Sequence, residues 1–479
     1  MRHDVIIIGG GLGGLECGYI LSREGKSVLV LEKGARPGGC LQSYNRRGVS
    51  FNTGFHYVGG IGEGQSLHDA FAYLGLTKLP WHAMDEVFDK VTIDGRTFPI
   101  AQGFGTFSSS LGEFFPGERD NIRGYARDMR HTMGGGYDNF EINAWQYLTE
   151  RFRDPLLIDV LSGNALTMEL RKATLPLFTF MHVSGGYIES SWRLRGRCSK
   201  ITDTLAEGIR AQGGSVVCNA GVEELMEADG RLTAARCSNG ETYFGETFIS
   251  DIHPALTCSL IKKSKAMRKI YRRRMAALGN TFGMFTASLL VKPRALRYFN
   301  HNEYVYRRPG VWTFSENNDP VSGVMISCNV PEDGGDYTRQ VDLLTPMTWL
   351  QCAEWTNTTV HKRPATYTQM KTRVAEECIA LAETRITGLR DMIDECYTST
   401  PLTYRDYTST PCGSAYGVRK DCGDALMTML SPRTPIPNLL LTGQSVILHG
   451  VHGVTMTSLH TCGELIGKEY LWGKIAAAV

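Results

Sequence analysis

Nowhere in the sequence are two cysteines spaced C-x-x-C, and the thirteen cysteines, scattered from Cys17 to Cys462, make an odd total. This offers no zinc cluster and no complete disulfide framework. Reduced thiols lead us to expect a cytosolic protein. Long apolar runs are absent too: nothing approaches the roughly 20 residues of a spanning helix. The four apolar residues Val5 to Ile8 near the start are too few for a signal-peptide core. Neither sign of charge dominates. With 51 Lys and Arg against 49 Asp and Glu, the formal net charge of +2 argues against nucleic acid as the main partner. There is no internal repeat, and 42% hydrophobic with 21% charged residues leaves no compositional case for disorder.

What is present is an alternation of strand and helix signals. Val5 to Ile8, a glycine-rich turn, a helical stretch through Ser22 and the apolar Ser27 to Glu32 read as a βαβ unit. From about Phe71 to Leu194 the pattern loosens into aromatic, loop-rich and helical segments with Gly and Pro stops. An amphipathic helix over Ile201 to Ile209 then leads through Gly213-Gly214 into short strands that end at Phe248-Ile249, before Asp251. Phe282 to Val291 and Val324 to Val330 read as strands and Thr366 to Arg385 as a long helix. Asn438 to Thr442 reads as a buried strand, followed by a helix through about Leu471. The expected fold class is α/β. A Rossmann-like dinucleotide-binding domain of residues 1–70, 195–275 and 407–479 is interleaved with an α+β substrate-binding domain of residues 71–194 and 276–406.

Gly9, Gly11 and Gly14 form G-x-G-x-x-G between the first strand and the first helix. There the missing side chains let backbone amides and the helix N-terminus approach a pyrophosphate. Leu12 and Gly13 belong to the same turn. Glu32 ends the next strand eighteen positions after Gly14, with Lys33 beside it. A carboxylate there accepts ribose hydroxyls and repels a 2′-phosphate, which excludes NADP more than it selects FAD over NAD. Gly38-Gly39 follows, and this pair resembles the extended flavoprotein signature, which plain NAD dehydrogenases usually lack. At the far end, Leu439 to Ser445, His449 to Val454 and a helix again place a tight turn and a helix N-terminus near a ligand. Gly443, Gln444, Ser445, Gly453 and Val454 are the binding candidates there.

With both ends in view, the chain resembles the phytoene desaturase, carotenoid isomerase and retinol saturase superfamily of flavoproteins, whose fold is similar to that of the amine oxidases. The resemblance spans nearly the whole chain. Its carriers are the N-terminal glycine motif with Glu32 and Gly38-Gly39, Asn52 to Gly59, Gly221-Val222 to Asp251, Ala415-Tyr416-Gly417 and the C-terminal turn. Gly54 to Gly59 and Gly413 to Gly417 look most like the retinol saturase branch. The resemblance implies an FAD-binding domain of the glutathione reductase and amine oxidase type. It implies that Gly54 adjoins the cofactor, that Val222 meets the adenine through its backbone, and that Gly443 and Gln444 lie along the ribityl and pyrophosphate. Two departures stand out: Ser445 replaces a common Asp, and Arg197-Cys198 replaces a double glycine.

Saturating or forming an isolated carbon–carbon double bond needs hydride transfer at the flavin and often a positioned proton donor or acceptor. His56, Tyr57, Tyr416, His449 and His452 are the candidates, with His56, Tyr416 and His449 the foremost; each can equally be a packing residue. No metal site is expected. The basic run Lys262 to Arg274, with Met267, Ile270 and Tyr271 interleaved, reads as a helix. It either rests on anionic lipid at the inner face of a membrane or is a solvated face. There is no second strand-linked G-x-G-x-x-G, so electrons come from a transiently docked NADH or NADPH, or pass to a quinone or oxygen. The expected activity is FAD-dependent oxidoreduction of an apolar isoprenoid or polyene lipid, with saturation favoured. A redox-neutral isomerase, an amine oxidase and a prenyl-lipid-binding protein like the GDP dissociation inhibitors are the alternatives.

Overall fold

The uninterrupted apolar segments Val5 to Ile8 and Val28 to Leu31 must be covered on both faces, the habit of central parallel strands. In the computed structural model, which describes residues 2–135, 139–316 and 318–478, they lie side by side. β1 (Arg2–Ile8) pairs in parallel with β2 (Val28–Leu31), with the strand Thr242–Ser250 on its other side. Ser215–Val217 extends the sheet beyond β2, and Leu439–Leu441 runs parallel to the end of Thr242–Ser250. An antiparallel pair, Val222–Ala228 and Arg231–Cys237, completes these seven strands. The chain therefore reaches this sheet in three separate visits.

Helix α1 (Leu12–Arg23) links β1 to β2 and is buried along most of its length, between the helices Ser199–Ala211 and Gly450–Ile466. Close packing comes from small residues: a Cβ on Gly18 would meet Ile209 Cδ1 at 2.8 Å. Ile20, Leu21, Leu205, Ile209 and Leu459 fill the space between these helices and the sheet. Each such side chain contributes about 1.5–3 kcal/mol on burial.

A second seven-stranded sheet has the order Ile393–Ser399, Gly283–Val291, Gln340–Met347, Gly323–Cys328, Asn302–Tyr306, Val87–Ile93 and Arg96–Ala101. All nine residues of Gly283–Val291 are buried. Ala365–Ala382 covers one face through Tyr367, Val374 and Cys378. The other face meets an aromatic core of Phe88, Phe98, Tyr304 and Trp312, joined by Phe180 of the helix Leu177–Glu189.

Two helix expectations are corrected. The basic run is helical only from Lys269, in Lys269–Ala277. Before that, the Met267 amide donates to Ser264 Oγ at 2.8 Å, a turn that diverts the chain and buries Met267. The C-terminal helix is two, Gly450–Ile466 and Lys468–Ala476, divided by Gly467 at φ +93°, a conformation glycine adopts freely. Among the described residues no helix is long and apolar enough to cross a membrane.

Candidate functional site

The turn after β1 is built for close approach. Gly9 has φ +99°, and the amides that follow point from the N-terminus of α1. Glu32, at the end of β2, is 9% exposed; its Oε2 accepts the Gly10 amide at 2.8 Å and its Oε1 the Gly34 amide at 2.6 Å. Backbone donors thus hold the carboxylate at the edge of the cradle, where free lone pairs remain for ribose hydroxyls. Gly38 and Gly39 both take positive φ, +130° and +52°, and the Gly38 amide donates to the Gly10 carbonyl at 2.7 Å. A Cβ on Gly39 would lie 3.3 Å from Gly11 Cα, so the second glycine pair rests directly on the first motif.

Opposite these, the amides of Asn219 and Ala220 donate to the carbonyls of Gly34 and Glu32, which brings Val222 to the Glu32 end of the cradle. The C-terminal turn closes the far side: the Thr442 amide donates to the Ser250 carbonyl at 2.9 Å, and a Cβ on Gly13 would lie 3.0 Å from Gly443 Cα. Ser458 of the helix Gly450–Ile466 donates to the Gly13 carbonyl at 3.3 Å. Lys420 locks the turn from behind. Its Nζ, buried, donates to the carbonyls of Thr428, Ser445 and Val446 at 2.8, 2.9 and 3.0 Å. Burial pushes the Lys420 ammonium down to about 7. The glycine turn and the N-terminus of α1 are the donors a dinucleotide's diphosphate calls for, with an acid for ribose at one end and a fixed turn at the other.

One residue in the cradle is unexpected. Asp251, directly after Thr242–Ser250, directs its carboxyl at the glycines, where the backbone of Gly11 and Gly14 works to hold its pKa down. A Cβ on Gly11 would stand 2.5 Å from its Oδ2 and one on Gly13 2.7 Å from its Oδ1. Burial pushes the Asp251 carboxyl up to about 7, and Glu32 adds to the shift. Beneath it on α1, Glu16 is fully buried; its Oε1 accepts the Thr455 hydroxyl at 2.6 Å, and burial pushes it up to about 8.

A cavity of about 40 Å³ opens at the head of the helix Gly450–Ile466. The segment Leu448 to Gly453 forms one wall, Tyr57 to Gly59 another, and His182, Val183, Gly186 and Tyr187 the third. Those four share a face of the helix Leu177–Glu189 at spacings of one and four. Gly59 is glycine because a Cβ there would run into the Gly186 carbonyl. Burial pushes His182, His449 and His452 each down to about 4, so the cavity carries no imidazolium at neutral pH. Tyr57 stacks on Tyr187 at 4.2 Å between ring centroids. Its hydroxyl lies 3.1 Å from Asp89 Oδ2 and 2.8 Å from the Tyr304 hydroxyl.

The structure separates the foremost catalytic candidates. His449 lines the cavity; its Nε2 lies 2.9 Å from the Thr167 carbonyl, an acceptor only, so this nitrogen carries the proton. Tyr416 packs against His449 with ring centroids 4.5 Å apart and planes tilted by 33°, and its hydroxyl donates to the Leu166 carbonyl. His56 faces Asp342 instead, Nδ1 to Oδ2 3.7 Å, and burial beside Arg193 pushes it down to about 4. Among the cofactor candidates, Lys33 turns to Ser409 Oγ at 2.6 Å, Leu12 and Val454 belong to the apolar core, and Gly54 packs on Cys40. The departure at Cys198 is absorbed in packing: its amide donates to Asn52 Oδ1 at 2.9 Å. Asp251, Lys420, His182 and Tyr187 were not singled out from sequence; for the last two, the 182, 183, 186, 187 spacing was the available signal.

The NAD(P)-binding Rossmann-like domain family matches residues 7–74. The chain is 22% identical to human all-trans-retinol 13,14-reductase over 99% of this chain and 87% of that one. It is 22% identical to prolycopene isomerase 2, chloroplastic, of an Oncidium hybrid cultivar, over 93% of this chain and 80% of that one. Among solved structures, putrescine oxidase bound to putrescine superposes with a TM-score of 0.63 at 14% identity, covering 97% of this chain and 99% of that chain.

Proposed function

From a chain that fits the phytoene desaturase, carotenoid isomerase and retinol saturase superfamily of flavoproteins, we propose an FAD-dependent oxidoreductase that saturates a carbon–carbon double bond in an apolar isoprenoid or polyene. The observation that carries the reading is the joined cradle: Gly9 to Gly14, Glu32 and Gly38-Gly39 close against Gly443, and a cavity without formal charge opens at the adjoining helix N-terminus. The near full-length similarity to a retinol reductase supports the substrate class.

In this reading the amides of residues 11–14 and the N-terminus of α1 hold the diphosphate, Glu32 the adenosine ribose, and the Val222 backbone the adenine. Bound flavin would supply two-electron hydride chemistry. The chain's part is to exclude water and to keep charge out: His182, His449 and His452 are neutral, and Tyr57 and Tyr187 offer flat apolar faces to a conjugated chain. His449 is oriented by Thr167, which leaves Nδ1 to accept or relay a proton. Tyr416, packed against His449, limits its ring, while His56 faces Asp342 outside the cavity lining and takes no part in the reaction.

NADH or NADPH is the proposed transient donor. The proposed seat is the inner face of a membrane, reached from the cytosol through the basic segment. There Ile270 and Leu426 stand 73% and 86% exposed, and Arg274 donates to the Leu426 carbonyl at 3.0 Å.

The test is the visible spectrum of FAD-loaded protein, reduced by NADH or NADPH without oxygen and then given a conjugated polyene alcohol. Reappearance of oxidised flavin with a product richer by two hydrogens supports saturation. Similarity to prolycopene isomerase favours a second reading, redox-neutral isomerisation, for which the product keeps the substrate's mass. Hydrogen peroxide formed with an amine, or failure to take up FAD, overturns both.

A further inference from the structure

Asp251 turns its carboxyl in among the glycines whose amides a diphosphate would need. Its two carboxyl oxygens are the nearest atoms to a Cβ built on Gly11 and on Gly13, and Gly443 meets the same oxygen as Gly13. The Gly11 and Gly14 amides that act on it are those a G-x-G-x-x-G turn offers to phosphate oxygens. A carboxylate and a diphosphate cannot share these donors without like-charge repulsion, which is strong where water is scarce. The other groups that bear on Asp251 do not relieve it. Glu32 at the end of β2 and Glu16 on α1 are acids, and the Cys40 thiol is pushed by burial up to about 11. Lys420 lies behind the C-terminal turn and is spent on three carbonyls, while His253, two residues along, turns its ring to Asn280 Oδ1 at 2.9 Å.

We propose that Asp251 couples cofactor binding to proton uptake: the diphosphate takes the Gly11 and Gly14 amides, and Asp251 accepts one proton from solvent as it is displaced. This rests on the FAD reading. The carboxyl near 7 in the free protein sets the window in which the coupling is felt. Below it the acid is already neutral and binding is insensitive to pH. Above it affinity falls toward tenfold per pH unit, roughly thirtyfold between pH 6 and 8.5.

The experiment is calorimetric titration of the apoprotein with FAD at pH 6, 7, 8 and 8.5, in two buffers of different ionisation enthalpy at each pH. Wild type should take up close to one proton per FAD at pH 8 and weaken with pH as stated. Asp251→Asn should bind FAD at least tenfold tighter than wild type at pH 8.5, with less than threefold change across the range. Glu16→Gln, a control for the neighbouring acid, should keep the wild-type pH dependence. Binding without proton uptake in wild type, or an Asp251→Asn protein that keeps the pH dependence or binds more weakly, overturns the proposal. The proton count is made on wild type and does not require the variant to fold. No FAD binding at any pH would overturn the FAD reading itself.

Discussion

Glu16→Gln should stabilise the protein, although it removes a residue that is fully buried and hydrogen-bonded. Glu16 sits on α1 against the helix Gly450–Ile466, where the Thr455 hydroxyl donates to its Oε1 and its Oε2 has no hydrogen-bond partner. Burial pushes its carboxyl from 4.5 up to about 8. The native state therefore holds one more proton than the unfolded chain between about pH 4.5 and 8, and stability falls as pH rises through that window. At pH 7 the cost is about 3 kcal/mol, from about 1.4 kcal/mol per pH unit over the 2.5 units above the unfolded value. Glutamine has the shape of the protonated acid and keeps the Thr455 contact, but brings one extra N–H, costing about 1 kcal/mol if unmet. The expected gain at pH 7 is about 2 kcal/mol, vanishing near pH 5 and largest at pH 8. Urea unfolding of both proteins from pH 5 to 8 measures it. A chain with two sheets need not unfold in one step, so the transition that reports α1 is followed by amide exchange. A difference that does not change with pH would refute the assignment of a protonated Glu16.

Three further changes test the site and its frame. Gly13→Ala should weaken FAD binding more than tenfold with an unchanged circular dichroism spectrum, because its Cβ would stand 3.0 Å from Gly443 Cα and drive the two halves of the cradle apart; fluorescence titration of FAD reads it, and wild-type affinity would contradict it. Lys420→Met leaves the buried carbonyls of Thr428 and Ser445 without a donor, while that of Val446 keeps the Leu430 amide, and should cost about 2 kcal/mol or more; thermal unfolding checks the loss, and faster FAD release the link to the turn. Arg193→Lys should destabilise by about 2–4 kcal/mol, since the buried guanidinium donates to the Phe299 and His301 carbonyls and to Asn302 Oδ1 in a fork that an ammonium does not reproduce; an unchanged melting temperature would show that the fork is dispensable.

The βαβ unit was legible because its signals are local. A four-residue apolar strand, glycines at fixed offsets and an acid after the next strand all fall within the first 40 residues, and the structure adds only that Gly38-Gly39 folds back onto Gly11. The strands Gly283–Val291 and Gly323–Cys328 also announced themselves, because residues buried on both faces write an apolar run. The middle region hid its part in the site. His182 and Tyr187 lie on a helix that is apolar nearly all round, so no polar face marks which side is functional. Asp251 and Lys420 were invisible for another reason: a lone acid after a strand and a lone lysine in a loop acquire meaning only from segments far away in sequence. The basic run misled because charge spacing says nothing of a serine that captures a backbone amide and turns the chain.

The joining of Gly13 to the helix Gly450–Ile466 spans 445 positions in the chain, and Glu16 to Thr455 spans 439. During synthesis at about 5–20 residues per second, the glycine turn waits on the order of half a minute for the segment that completes its far wall. Until then the nascent protein exposes the glycine turn with one side missing and an α1 whose buried acid has no Thr455 to meet it. Under the proposed FAD reading, cofactor capture belongs to the end of folding, so a shortage of flavin would leave α1 and the helix Gly450–Ile466 as the loosest pair in an otherwise formed structure. Limited proteolysis of protein made with and without flavin would then cut first near Gly467.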